Sequence, residues 1–190
     1  MGGFSGNVIA ITGAASGIGR ATAVKLAGAH ATLSLCDVSR EGLRDTERLC
    51  RDAGAAVRST AVDVSDPEAV NAWAADTHQA FGKVNAIINN AGVSLSGAVA
   101  DLSLEDFEWI MGINFWGVVH GTRAFLPYLR ASGDGHIVNI SSLFGIIAMP
   151  GASAYNASKF AVRGFTESLS EELRLDNAPV RVTCVHPGGI

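Results

Sequence analysis

The chain has 190 residues, 48% hydrophobic and 17% charged, with 14 basic against 18 acidic side chains and a net charge of −4. That composition excludes a disordered or fibrous chain. Without a basic run it also argues against a nucleic-acid phosphate backbone as partner. Residues 1–190 are expected to form one globular domain, with a core that needs neither disulfide nor metal. Cys36, Cys50 and Cys184 show no CxxC spacing, and Cys36 and Cys184 fall in apolar runs, so buried reduced thiols are expected. The five histidines are scattered, so no metal site is expected. The N-terminus lacks a leader pattern and no apolar run is long enough to span a bilayer, which makes a cytoplasmic location with no membrane partner the expectation.

Short apolar runs rich in β-branched residues alternate with helical patterns. Strands are expected at 7–12, 31–36, 57–62, 84–89, 137–140 and 180–185. Helices are expected at 17–29, 40–53, 67–81, 104–130 and 152–175. Ser65 and Glu68 read as a capping box at the start of the third helix. Because the strands are continuously apolar, helices should cover both faces of a parallel sheet. The fold class is then α/β, a doubly wound, Rossmann-like sheet. The final strand is followed only by His186-Pro187-Gly188-Gly189-Ile190, which would leave it at the sheet edge.

The loop Gly13-Ala14-Ala15-Ser16-Gly17-Ile18-Gly19 follows the first strand and opens a helix. Glycines there let backbone approach a dinucleotide's pyrophosphate, and the helix N-terminus offers N–H groups and positive dipole. Asp37 closes the second strand, where a carboxylate can accept from both adenosine ribose hydroxyls and repel a 2′-phosphate; a turn or helix-capping aspartate is the other reading. NAD is the expected cofactor, with NADP kept open by the nearby Arg40. Asp63-Val64 and Asn89-Asn90-Ala91-Gly92 end the third and fourth strands, at the edge where such sheets bind ligands.

Tyr155 and Lys159 stand four residues apart in a helical stretch, thirteen and seventeen residues after Ser142. A free phenol ionises near pH ~10, and bringing one to about 7 takes roughly 4 kcal/mol. A cation about 4 Å away supplies about 1 kcal/mol in water but about 4 at an effective dielectric of about 20, so the site must be partly dry. Taken alone, the pair would also fit a surface i,i+4 contact, and Asn114 a polar helix residue bonded to nearby backbone.

Together, Thr12 to Gly19, Asn89 to Gly92, Asn114, Ser142, Tyr155-Asn156-Ala157-Ser158-Lys159 and Pro187-Gly188 resemble, in order, the pattern of the short-chain dehydrogenase/reductase family in its form of roughly 250 residues. The resemblance implies hydride transfer between NAD(H) and a secondary alcohol/ketone pair. Tyr155 would be the general acid/base, Ser142 would polarise the same oxygen, Lys159 would hold the cofactor ribose, and Asn114 would fix a proton-relaying water. It also implies cofactor contacts at Pro187, Gly188 and Ile190, and a homodimer through helices 104–130 and 152–175. The family pattern runs on past Ile190 into a last strand and a substrate-covering segment. Val93, Ser94, Leu143, Phe144 and Met149 are expected near a small-molecule substrate, pointing to an apolar carbonyl or alcohol. Two other readings stay open: a dinucleotide-binding regulatory module without turnover, and a sugar-nucleotide epimerase or dehydratase, which shares the Tyr-xxx-Lys spacing.

Overall fold

The computed structural model describes residues 3–188, so the contact expected of Ile190 lies outside the described residues. Six parallel strands form one sheet in the order β3-β2-β1-β4-β5-β6. They are β1 Val8–Thr12, β2 Thr32–Asp37, β3 Val57–Ala61, β4 Ala86–Asn89, β5 Gly135–Ile140 and β6 Val180–Val185. The helices are α1 Gly17–Gly28, α2 Arg40–Asp52, α3 Pro67–Phe81, α4 Leu104–Met111, α5 Gly117–Ser132 and α6 Ser153–Leu175. The expected ends agree to within a few residues.

Two hydrophobic layers sandwich the sheet. Ala23 and Ala27 of α1 and Leu43 and Cys50 of α2 pack on Ile9, Ile11, Leu33 and Leu35. On the other face Trp73 of α3, Phe125 and Leu129 of α5 and Leu169 and Leu173 of α6 pack on Ile87 and Ile137, with Trp73 edge-on to Phe125 at 4.8 Å. Burial is continuous along β1 and nearly so along β2, as expected, but alternates along β5 and β6. The cause is coverage: α1 and α2 serve the β1–β2–β3 half of their face, which leaves Arg181, Thr183 and Val185 of β6 exposed. Cys184 on β6 is accordingly half-buried, whereas Cys36 and Cys50 are buried.

Polar groups cross-link the interior. Asn89 donates to Asn139 (2.8 Å) and Thr122 (3.2 Å), and Asn139 donates to Thr166 (3.0 Å), tying β4, β5, α5 and α6 together. Pairing is what makes such a network tolerable, because unpaired buried polar groups are costly; Asn89 Oδ1 is the atom in it without a partner. Gly121 of α5 is glycine for a related reason: a Cβ there would run into the Asn89 side chain.

Two local expectations are corrected. The cap of α3 is Asp66, whose Oδ1 accepts from the Glu68 and Ala69 N–H groups at 2.9 and 3.2 Å, while Ser65 bonds Asp63 instead. Pro67 at the first helical position fixes the helix start, so the residue just before it becomes the cap. A capping box does occur at Ser103 and Asp106, before α4. The expected helix 104–130 is α4 and α5 joined by a π turn, Gly112–Trp116, with Asn114 fully buried within it. Of its aromatic residues Phe125 enters the core, while Trp109 and Trp116 are about half exposed.

Candidate active site

A cleft of about 670 Å³ opens along the C-terminal ends of the strands, where β1 has β2 on one side and β4 on the other. Gly13, Ser16, Gly17, Ile18 and Asp37 line one end. Asp63 and Val64, after β3, and Asn90, Ala91 and Gly92, after β4, also line the cleft. Ser142, Tyr155, Lys159, Pro187 and Gly188 line the other end. Expected residues from seven separate segments thus meet in one cavity. Gly19 and Asn114 are the described exceptions, since both are buried behind its wall.

The glycine loop is built for close approach. Gly13 has φ +65°, and a Cβ on it would lie 2.7 Å from Ala91 Cα, so the loop after β1 and the loop after β4 touch main chain to main chain. Gly19 packs against the Gly13 carbonyl with no room for a side chain. Thr12 Oγ1 accepts from the Asn90 and Ala91 N–H groups, both at 2.9 Å, and Asn90 Nδ2 returns bonds to Thr12 O (2.9 Å) and Gly13 O (3.1 Å). From behind, Arg20 donates to the Ala15 carbonyl and to Thr46 Oγ1, and Thr46 donates to Ala14 O at 2.8 Å. Sequence reading did not single out Arg20 and Thr46, because bracing by a helix residue and its partner on α2 leaves no local signature.

No side chain caps the N-terminus of α1, where Ser16 is exposed and extended. Its first-turn N–H groups therefore remain available to an anion. With the bare glycine loop beside them and a cleft long enough to run from Asp37 to Pro187, these residues fit a dinucleotide. Asp37 takes both readings the sequence left open. Its Oδ1 accepts from Ser39 N at 2.9 Å as a turn aspartate, and its Oδ2 accepts from Ala15 N at 3.0 Å, which aims the carboxylate along the cleft. Each oxygen keeps a lone pair. Arg40, on the exposed start of α2, does not line the cleft.

At the other end Lys159 is 4% exposed. Its Nζ donates to Ile140 O at 3.0 Å and lies 5.7 Å from the centre of the Tyr155 ring. Burial pushes this ammonium down from 10.5 to about 8, slightly opposed by Cys184. Gly92 is glycine because a Cβ there would press on both Lys159 Nζ (3.3 Å) and Asn114 Oδ1 (3.2 Å). The half-buried Tyr155 meets Phe144 edge-on at 6.3 Å. Ser142 Oγ accepts from Phe144 N at 3.1 Å, leaving its own proton to point elsewhere. The Ser142 carbonyl accepts from His186 Nδ1 at 3.0 Å, and Leu143 N donates to Pro187 O at 2.8 Å, so the β5 and β6 exits are sewn together.

The Asn114 side chain clamps the loop after β4. It accepts from Val93 N at 2.8 Å and donates to Val93 O at 2.9 Å and Ser158 Oγ at 3.0 Å. Both amide protons are spent, so the side chain has none left for a water. On the substrate side Val93 and Ser94 line the cleft as expected, joined by Trp109 and Ile113; Leu143, Phe144 and Met149 do not line it. Trp109 reaches the cleft from α4, just before the π turn Gly112–Trp116. Among the described residues no cluster of His, Cys, Asp and Glu could hold a metal, and no helix is long and apolar enough to cross a membrane.

The profile of the family described as short chain dehydrogenase matches residues 7–190. The chain is 56% identical over 190 residues to the putative oxidoreductase SadH of Mycobacterium tuberculosis, a match covering 100% of this chain and 69% of that protein. A short chain dehydrogenase/reductase from Burkholderia phymatum, solved in complex with NAD, superposes with a TM-score of 0.97 at 40% identity, over 100% of this chain and 68% of that one. A metagenomic short-chain oxidoreductase in complex with NADP gives a TM-score of 0.92 at 37% identity, over 98% and 84% of the two chains. Sequence profile, overall superposition and the assembled cleft agree: the chain belongs to the short-chain dehydrogenase family.

Proposed function

We propose that the chain transfers a hydride between NAD and a secondary alcohol or ketone, with Tyr155 handling the proton, and that residues 1–190 act as one cofactor-binding and catalytic unit. The observation that carries this reading is the buried Lys159 ammonium, fixed on Ile140 O beneath the Tyr155 ring at the end of the cleft that also holds Ser142. A buried cation beside a phenol can stabilise negative charge developing on its oxygen while a proton is transferred. The nicotinamide, when bound, supplies or accepts the hydride. In reduction the Tyr155 hydroxyl gives its proton to the carbonyl oxygen, and in oxidation the phenolate takes the proton of the alcohol. Ser142, with its Oγ already accepting from Phe144 N, donates its own proton to that oxygen and polarises it.

The preference for NAD is supported by Asp37, a carboxylate at the adenosine end with lone pairs free for ribose hydroxyls and a charge that repels a 2′-phosphate. The apolar substrate class is supported by Val93, Trp109 and Ile113, which bring no charge to the reactive end. The half-exposed Trp116 and the 40% exposed Phe160, on the π turn and on α6, support a homodimer through these helices. A monomeric mass by light scattering at micromolar protein overturns the dimer.

Tyr155→Phe is expected to lower kcat by about 100-fold or more while leaving the NAD dissociation constant within about twofold. Nicotinamide absorbance across a panel of secondary alcohols and ketones, with calorimetric NAD binding, measures both. Substrate turnover by Tyr155→Phe at the parent rate would sink the acid/base role. Asp37→Ala removes charge-assisted hydrogen bonds, so NAD affinity should fall about 10-fold or more and NADP should gain relative to it. An unchanged ratio of the two affinities refutes the ribose assignment.

Lys159 gives a prediction in pH. The gap between 10.5 unfolded and about 8 folded, at about 1.4 kcal/mol per pH unit, is a cost of about 3 kcal/mol for burying the charge. The folded pKa is the lower one, so the full cost applies below about 8 and is relieved as pH rises to 10.5. Lys159→Met should therefore raise stability at neutral pH by about 1–3 kcal/mol, flatten its dependence over that window and abolish turnover. Urea unfolding at stepped pH measures it.

A further inference from the structure

Ser141 lies one residue before Ser142 and has no role in the chemistry above, yet it is 3% exposed and its hydroxyl makes one directed bond. Its Oγ donates to the main-chain carbonyl of Lys159 at 2.8 Å. That carbonyl lies inside α6, where the helix's own i→i+4 bond already uses it, so the serine takes the second lone pair. From the opposite end, Lys159 Nζ donates to Ile140 O at 3.0 Å. Two consecutive residues at the exit of β5 therefore grip one lysine, Ile140 by its ammonium and Ser141 by its backbone. The third in the row is Ser142.

Packing confirms that this crossing is tight. A Cβ on Gly145 would run into Ser141 Oγ and stand 2.8 Å from Lys159 O, so the short turn Leu143–Gly145 lies directly on the bond. A lysine ammonium on a flexible four-carbon stem cannot be fixed by one hydrogen bond unless the helix carrying it is itself fixed. The Ser141 bond supplies that second anchor. It sits on the same residue that must be placed, and one helical turn from Tyr155.

We propose that Ser141 is a positioning residue whose bond to the Lys159 carbonyl locks α6, and with it Tyr155 and Lys159, in register with Ser142. Its importance for turnover rests on the acid/base reading above, but the geometry can be tested without turnover. In Ser141→Ala the Lys159 carbonyl keeps its helix partner, so the chain should still fold. α6 should then shift on β5 and admit water to Nζ. The titratable groups facing that ammonium are Tyr155 on its own helix and Cys184 on β6.

The experiment follows the Lys159 side-chain titration by carbon NMR in the cofactor-free protein. Three variants are compared: Ser141→Ala, Ser141→Cys, and Ser34→Ala as a control at a buried serine bonded to Thr77 and Trp73, remote from the cleft. Ser141→Ala should move the Lys159 midpoint upward from about 8 by about half a pH unit or more, towards the exposed value. Ser141→Cys, with a weak donor of similar size, should move it less, and Ser34→Ala should not move it. In the parent enzyme's assay Ser141→Ala should lower kcat about 10-fold with NAD affinity unchanged within about twofold. An unmoved Lys159 midpoint, or an equal movement in Ser34→Ala, overturns the proposal. If Ser141→Ala does not fold, a Lys159 midpoint in Ser141→Cys equal to the parent's overturns it instead. A parent chain that turns nothing over sinks the acid/base reading while the titration still judges Ser141.

Discussion

A lysine charge held almost out of water is the constraint on which the reactive end depends. An ammonium has three donors, and Lys159 spends one on Ile140 O. Burying a charge with so few partners is unfavourable, and the fold tolerates it through a wall with no slack. Gly92 gives up its side chain to make room, Asn114 clamps the adjoining loop at Val93, and Ser141 pins the helix. Strongly perturbed lysines in a cleft point to chemistry more than to stability, and burial holds this one below its ordinary value.

The sheet supplies the frame. Its strand order places the β1 exit between those of β2 and β4, and the loops after β1 and β4 meet at Gly13 and Ala91 with no side chain between them. Contact at that range cannot be adjusted by a rotamer, so polar side chains fix it. Asn90 and Ala91 donate four hydrogen bonds to Thr12 and Gly13 across the crevice, and Asn89 and Asn139 continue the tie one layer below. Hydrophobic packing alone is non-directional and would hold the strands together without fixing the cleft's floor to a few tenths of an ångström.

Features written in local spacing were legible in the sequence. The glycine loop, Asp37 at a strand end, the four-residue step from Tyr155 to Lys159 and the strand–helix alternation all depend on residues close in sequence, and each lines the cleft or builds the sheet. What escaped depends on partners far along the chain. The π turn at Gly112–Trp116 shifts helical register without a compositional trace, so Asn114 could not be assigned to the Val93 clamp. Arg20 reaching back to the Ala15 carbonyl and Thr46 reading as an ordinary α2 residue are equally silent. Alternating burial on β6 reflects which helices cover that half of the sheet, a tertiary fact the strand's own residues do not encode. Asp66 displaced Ser65 as cap for a local reason, Pro67, which was readable but outweighed by the Ser-x-x-Glu pattern.

The distribution of spent and unspent hydrogen-bonding groups divides the site's labour. Asn114, Asn90, Thr12, Thr46 and Ser141 have committed polar atoms to protein partners, most of them main chain, and these residues hold geometry. Ser142 has used an acceptor position and keeps its proton, Asp37 has used one lone pair on each oxygen and keeps the others, and Lys159 keeps two N–H donors. Ser142, Asp37 and Lys159, with valences to spare, all line the cleft; of the committed residues Asn90 and Ser141 also reach its wall, while Asn114, Thr12 and Thr46 stand behind it. On the proposed reading this division lowers the cost of reorganisation, since a group already oriented by a partner need not be ordered when charge develops on a reacting oxygen. The adjacent serines make the point within one dipeptide. Ser141 turns its hydroxyl inward to the helix carrying the lysine, and Ser142 has its Oγ held from behind so that its proton can face outward.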